Sequence, residues 1–324
     1  MKVSVIIACH NAEPYIGEAL ASVADQEYPP HEVIVIDDDS TDDSVAVIEN
    51  SRQPVRLLHV DVRNAAAARN AGIRAASGDW IAFLDADDVW FSHHLKSAVG
   101  LLEDSDAVAH KCFYEELRIG GNTVPMEPWP VTEPRTDLNH EQFFNWFTSI
   151  QYFGHSGVLY LRERVMEVGG FDEELRRRHD FELFMRVIHD HVWAMNPTLN
   201  YRWRADTPGA ISRNYANCEY FHTMALLKMR ELYAGPVMER ELVKQARHAL
   251  TAAALAGDDQ DRARARELCL PLLKESQPFT AAIWQYTPVA YRWITQCRRR
   301  MLAIKAKWAS AQKQRSRQNG TVAA

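Results

Sequence analysis

Apolar residues in the N-terminal part of the chain gather into short, nearly unbroken runs: Val3–Cys9 (VSVIIAC), Glu32–Asp37 (EVIVID), Val55–Val60 (VRLLHV) and Trp80–Leu84 (WIAFL). Between them the spacing of apolar positions is helical over Glu13–Val23, over a stretch reaching Glu49 for which Ser40 is the expected N-cap, and over Ala65–Ala76. A strand that is apolar throughout, instead of alternating, is buried on both faces. Alternating such strands with helices predicts an α/β fold, a mostly parallel sheet with helices on both faces. Ligands of such sheets bind beyond the carboxyl ends of the strands, so the polar residues there are the first candidates for chemistry.

After Ala107 the pattern changes. Ala107–Leu117 reads as a strand leading to a Gly120-Gly121 turn and a loop rich in proline (Pro125, Pro128, Pro130, Pro134). Helices are expected over Glu141–Phe147 and Phe181–Ile188, and strands over Ser156–Leu161 and Leu199–Arg204. From about Tyr220 to Leu273 the chain is helical and charged, with breaks at Gly235-Pro236 and Gly257-Asp258-Asp259. The expected organisation is an α/β domain over 1–215, a helical extension over 216–275 and a tail over 276–324.

Composition narrows the function classes. The 324 residues carry a net charge of -6, which argues against a general nucleic-acid binder. The charge is uneven: Gln277 to Ala324 holds nine Lys or Arg and no Asp or Glu, leaving 28 basic against 43 acidic side chains elsewhere. Five scattered cysteines without a CxxC pair predict reduced thiols in a cytoplasmic setting, and the opening MKVSVIIACHN reads as a first strand, not a secretory signal. If Val289–Trp308 is helical, then Val289, Trp293, Cys297, Met301, Ile304 and Trp308 share one face of an otherwise basic segment. That pattern suits an in-plane helix on an anionic membrane surface, and the competing reading is a stripe packed on the acidic body.

Carboxylates carry the chemistry. The second strand ends in Asp37-Asp38-Asp39-Ser40 and the fourth in Asp85-Ala86-Asp87-Asp88. Acidic clusters at equivalent strand ends repel one another unless a cation or hydrogen-bond donors lie between them. A hard divalent cation, Mn or Mg, bridging carboxylate and phosphate oxygens would compensate that charge, and the same metal would stabilise a leaving diphosphate. Asp-x-Asp also occurs at Asp37, Asp104 and Asp259, but only the Asp85 instance directly follows a buried strand of the WIAFL kind. A capped, solvated loop is the alternative.

VSVIIACHN, VIVIDDDSTDDS, RNAAAARNAGIRAASGDWIAFLDADD and the later GGFDEELRRRHDFELFMRV together resemble the inverting glycosyltransferase family 2, whose fold is of the GT-A type. The resemblance covers roughly residues 1–205. It implies transfer of a sugar from a nucleotide-diphosphate donor, usually UDP-linked, to an acceptor hydroxyl on a glycan or lipid-linked sugar. By position, Asp38 matches the carboxylate that receives the base, with Ala8 to Asn11 lining the same pocket. Arg69, with Asn70 and Gly72, falls near the diphosphate, Asp85 near the ribose or metal, and Asp87 at the metal ligand. Asp180 matches the catalytic base. Two departures stand out: Asp39 replaces the glycine of the usual Asp-Asp-Gly-Ser turn, and His179 stands where the family commonly has Glu. His155 and Trp90 are further candidates for acceptor or sugar contact, and Tyr201–Arg204 with Ser212 and Arg213 resembles a loop that closes over the diphosphate.

Two rival functions are weighed. Nucleotidyl transfer needs a Gly-rich basic loop after the first strand, whereas Ala8–Glu13 has neither Gly nor Lys nor Arg. A non-catalytic glycan-binding or scaffold protein has no reason to keep Asp38, Asp85, Asp87 and Asp180 together.

Overall fold

The computed structural model describes residues 1–118, 122–125, 133–150, 153–205, 207, 215–256, 259–277 and 281. The basic tail beyond 281 lies outside the described residues, as do Ser212 and Arg213. The chain divides into two compact units, Met1–Arg213 with Ala225–Met238, and Asn214–Met224 with Glu239–Ala324.

In the first unit the apolar runs form β1 (Val3–Cys9), β2 (Glu32–Asp38), β3 (Arg56–Val60) and β4 (Trp80–Phe83), separated by α1 (Glu13–Ala24), α2 (Ser44–Glu49) and α3 (Ala65–Ala75). Then follow β5 (Val89–Trp90), α4 (His94–Leu102), β6 (Ala109–Leu117), β7 (Thr123–Pro125), β8 (Arg135–Leu138) and α5 (His140–Ile150). A single turn of 3-10 helix at His155–Gly157 leads into β9 (Val158–Leu161), α6 (Arg162–Glu167), α7 (His179–Ile188) and β10 (Trp193–Arg204). The described strands make one ten-stranded mixed sheet in the order β3-β2-β1-β4-β9-β6-β10-β5, with β7 beside β6 and β8 beside β10. Its long ladders, β1 with β2 and β4, β2 with β3, and β6 with β10, are parallel; β9 runs antiparallel between β4 and β6.

Helices cover both faces. Val3, Val5 and Ile7 of β1 point to one face and meet Ile16, Leu20 and Val23 of α1 and Leu95 and Val99 of α4 in a single core. Each such side chain removed from water contributes about 1.5–3 kcal/mol. On the other face α3 lies close to the strands, because a Cβ on Gly72 would stand 2.6 Å from a methyl of Ile6 and 2.7 Å from one of Ile36.

Three elements differ from expectation. Ser40 does not cap α2; the helix starts later, at Ser44, because the Ser40 hydroxyl accepts the backbone N–H of Asn11 instead. The last strand begins at Trp193, ahead of Leu199. It absorbs Pro197 at an irregularity between Asn196 and Leu199, the kind of place where a strand tolerates proline. The two-residue β5 is set by its antiparallel pairing to Tyr201 and Arg202, a contact with no local signal.

The second unit is helical. α8 (Tyr215–Lys228) begins in it, and α9 (Pro236–Ala256) and α10 (Asp259–Ser276) pack through Ala246, Ala249, Leu250 and Ala253 against Ala265, Cys269 and Leu273.

Gly72→Ala is expected to destabilise the protein by about 1–3 kcal/mol, the usual effect of overfilling a packed core. Gly100→Ala, in α4 with nothing within 4 Å of the added methyl, is expected to be neutral or to stabilise by up to about 1 kcal/mol. Urea denaturation of both variants checks the pair; equal midpoints would show that α3 has room to move off the sheet.

Candidate active site

The carboxyl ends of β1 and β2 are sewn to each other. Asn11 follows β1 at φ 49, and its side-chain oxygen accepts the backbone N–H of Thr41 at 2.7 Å. Ala8, half-buried, sits in register with Ile36. Asp39 adopts φ 57, so the acid in this turn takes the left-handed conformation that a glycine would supply, and its carboxylate pairs with Arg63 at 3.0 Å. Asp38 is buried, and its oxygens accept the backbone N–H groups of Val62, Arg63 and Asn64 at 2.7, 2.9 and 2.9 Å. This carboxylate therefore shapes the loop entering α3, whose first turn is capped by Asn64 accepting from the Ala66 N–H.

At the end of β4 three carboxylates lie within four residues, with different surroundings. Asp85 pairs with the Arg69 guanidinium at 2.5 Å, and its backbone N–H donates to the Ser156 hydroxyl. That hydroxyl donates to Asp88, which also accepts the Arg204 N–H at 3.0 Å. Asp88 is nonetheless pushed well above the usual carboxylate range, by burial first and then by the charges of Asp87 and Asp85. Asp87 accepts the Thr207 hydroxyl at 2.7 Å and is likewise raised by burial and by Asp85. No lysine or arginine among the described residues is ion-paired to Asp87 or Asp88; the Arg204 side chain binds the Asp87 carbonyl and Glu18. An all-oxygen set with excess negative charge is what a hard divalent cation takes, so the residues fit one.

The head of α7 faces this edge because two side chains pin the loop before it. Asn70 of α3 accepts the Phe171 N–H at 2.8 Å and donates to the Phe171 carbonyl at 2.9 Å. Gly170, at φ 72, passes so near that a Cβ would stand 2.6 Å from the Asn70 oxygen. From the other side Arg186 of α7 donates to the Val168 and Gly170 carbonyls while paired with buried Glu182. Arg178, at φ 62, then turns the chain into the helix, where half-buried Asp180 accepts the Phe181 N–H. Burial raises the Asp180 carboxyl, opposed by the charges of Arg178 and Arg69. Arg69 links the two regions: one nitrogen binds Asp85 and the other meets His179 Nε2 at 2.9 Å.

Arg69 of α3 thus meets Asp85, two residues before Asp87, and its contact with His179 links this strand edge to the residue beside Asp180. Other candidates are placed differently. Trp90 is 3% exposed, packed at a tilt against the His94 ring and donating to the Ser156 carbonyl, so it is core and holds the Ser156 turn. His155 is 3% exposed among Phe83, Tyr160 and Phe171, and burial pushes it well below the usual imidazole range. Tyr201 is fully buried in β10 and does not belong to a loop. The side-chain contacts of Ser156 and Lys111 had no counterpart among the expected site residues. The buried Lys111 ammonium donates to the Gly154 carbonyl at 3.1 Å and lies 4.3 Å from the Phe153 ring centre; burial lowers it to about 8 against the opposing charge of Asp180. Ser156 and Lys111 carry no local signal, because their contacts depend on strands meeting from distant positions. A separate trio, His140, His189 and Asp190, gathers at the other end of α7, where the Asp190 N–H donates to His140 Nδ1 and His189 donates to the Leu232 carbonyl.

A sheet whose parallel β3-β2-β1-β4 half presents paired carboxylates at its carboxyl edge, completed by an acidic helix start, defines the GT-A type of α/β domain. The family described as Glycosyl transferase family 2 matches residues 4–169, half of the chain, and the chain belongs to it. It is 31% identical over 212 residues to the amylovoran biosynthesis glycosyltransferase AmsB of Erwinia amylovora, covering 61% of this chain and 68% of that one. It is 39% identical over 102 residues to the Escherichia coli protein WfgD, named as a UDP-Glc:alpha-D-GlcNAc-diphosphoundecaprenol beta-1,3-glucosyltransferase, covering 31% of this chain and 40% of the relative. The chain thus spans well under two thirds of that relative's length. The crystal structure of Staphylococcus aureus TarS 1-349 in complex with UDP-GlcNAc superposes with a TM-score of 0.68 at 19% identity, covering 85% of this chain and 81% of that one; the likeness shows the fold.

The raised Asp87 carboxyl has a thermodynamic consequence. Its ionised form is disfavoured in the folded state, so it costs stability above its folded pKa and nothing at low pH, where both states bind the proton. Asp87→Asn should therefore melt a few degrees higher than wild type at pH 8 in EDTA, and the gap should close towards pH 4. A variant that melts lower at pH 8 would show that this charge is already compensated.

Proposed function

We propose that this protein is an inverting glycosyltransferase that moves a sugar from a nucleotide-diphosphate donor, a UDP-sugar, to an acceptor hydroxyl on a glycan or lipid-linked sugar. The observation that carries the reading is Arg69. It joins Asp85, after β4, to His179, the residue beside Asp180, which supports placing the parts needed for donor and acceptor at one edge of the sheet. The complex of TarS with UDP-GlcNAc and the name of WfgD favour a UDP donor, and the latter a lipid-diphosphate acceptor.

The base would lie against Ala8 and Asn11 and beside Asp38. A carboxylate offers about four lone-pair sites, and three of those of Asp38 are taken by backbone N–H groups, which leaves one for a base N–H. Arg69 supplies a fixed positive charge near the diphosphate and Asp85 contacts the ribose or metal. A Mn or Mg ion, held by Asp87 and Asp85, would when bound neutralise charge building on the leaving diphosphate. Asp180 removes the acceptor proton as the hydroxyl attacks the anomeric carbon opposite the leaving group, which inverts the centre. Burial raises the affinity of Asp180 for that proton, opposed by the Phe181 N–H and the charges of Arg178 and Arg69. A lipid-linked acceptor would place the reaction at the cytoplasmic membrane face, to which the basic tail is suited.

Calorimetric titration with UDP and GDP, with and without Mn, is the direct test. Metal-dependent UDP binding that Asp87→Ala removes is the expected result; no binding of either nucleotide would turn the reading to a scaffold. Asp180→Asn should keep UDP binding while kcat falls about 10²- to 10⁴-fold, the usual contribution of a general base. The anomeric configuration of the product, read by NMR, should be opposite to that of the donor, and a retained configuration would remove Asp180 from the role of base.

A further inference from the structure

His179 is buried against Arg69, with the Phe171 ring edge-on at 5.5 Å. Its two ring nitrogens have opposite duties. Arg69 can only donate, so Nε2 accepts from it at 2.9 Å; the Leu175 carbonyl can only accept, so Nδ1 carries the hydrogen and donates at 3.1 Å. The ring is therefore neutral and held in one tautomer. Protonation would put a second cation against Arg69 in a buried site, and burial together with Arg69 pushes the group down to about 3, opposed by Asp85. Arg69 in turn is gripped at both ends, by Asp85 at 2.5 Å and by His179, with the Ala65 carbonyl at 3.5 Å.

We infer that His179 is a positioning residue: as a permanently neutral, Nδ1-protonated imidazole, it aims the Arg69 guanidinium at the donor diphosphate without adding charge to the site. The inference rests on the glycosyltransferase reading for its effect on turnover, but the contact itself stands apart from it. The neutrality matters because Asp85, Asp87, Asp88 and Asp180 already crowd this edge. A fifth carboxylate at 179 would compete with Asp85 for Arg69 and oppose the diphosphate, whereas an imidazole lone pair orients the guanidinium and leaves its charge available. The proposal also removes His179 from proton transfer, although it adjoins Asp180, since both of its nitrogens are engaged and it stays neutral through the working pH range.

Two measurements test it. The first needs no substrate: 15N NMR of the imidazole rings, with the His179 signals assigned by their loss in His179→Gln. The expected ring is neutral and Nδ1-protonated at pH 5.5, and in Arg69→Met its pKa rises. An imidazolium at pH 5.5, or a titration unmoved by Arg69→Met, overturns the inference. The second is kinetic. His179→Leu should weaken Mn-dependent UDP binding about tenfold or more and lower kcat, whereas His179→Gln, whose amide can both accept from Arg69 and donate to Leu175, should stay within about threefold on both. The acid limb of the pH–rate profile should be unchanged in His179→Gln. Losing that limb, or losing as much with Gln as with Leu, overturns the positioning role. If wild type binds no nucleotide while the NMR result is as expected, the function reading fails and the coupling of His179 to Arg69 stands.

Discussion

Compensation of negative charge at the carboxyl edge of the sheet is the constraint on which the rest depends. Five of the aspartates there are compensated in different ways. Asp38 has three backbone N–H groups, Asp85 has a guanidinium, and Asp88 has a hydroxyl and one N–H. Asp87 has a hydroxyl, and Asp180 the N–H of the next residue. The series sorts structure from chemistry. Where backbone N–H groups take most of a carboxylate's acceptor sites, it holds the fold together, as Asp38 does for the loop into α3. At Asp87 burial and the charge of Asp85 raise the proton affinity, against the Thr207 hydroxyl and the charge of Arg204, and no Lys or Arg among the described residues is ion-paired to it.

The same edge explains why loops far apart in sequence are tied so firmly. The position of Asp180 is fixed by where α7 starts, and the loop before it is clamped by Asn70 from α3 and by the Arg186–Glu182 pair from α7 itself. Lys228 adds ion pairs at 2.7 Å to Asp172 and 2.6 Å to Glu174 in the same segment. Arg178, a non-glycine residue in left-handed conformation, is the strained joint that these clamps hold in place. Arg69 and Asn70 are neighbours on α3, so the helix that pins the loop also carries the guanidinium that reaches the residue next to Asp180.

Much of this was legible in the chain alone. The strands β1 to β4 announce themselves because a strand covered on both faces must be apolar at every position, a local pattern that survives in any context. Asp85 and Asp87 stand out because they follow such a strand, and Asp180 because its segment resembles the second signature of glycosyltransferase family 2. Asp39 in the turn was a departure on paper and is accommodated at φ 57, since a short polar side chain tolerates that conformation. Trp90, His155 and Tyr201 fill the core, and the chain alone could not decide this: an aromatic or imidazole group near a motif looks the same in sequence whether it lines a cleft or is buried.

What the sequence determined by itself is the alternation of strand and helix and the carboxyl-end position of its acidic motifs, because both follow from periodicity and from local backbone chemistry. Tertiary structure alone decided which partner each charge meets. Ser156 bridges Asp85 and Asp88 across 71 and 68 residues, and Arg69 reaches His179 across 110. Such pairings arise only after β9 and α7 are docked beside β4 and α3. The proton affinity of a side chain is set by that docking, through burial and neighbouring charge, and no window of sequence contains it.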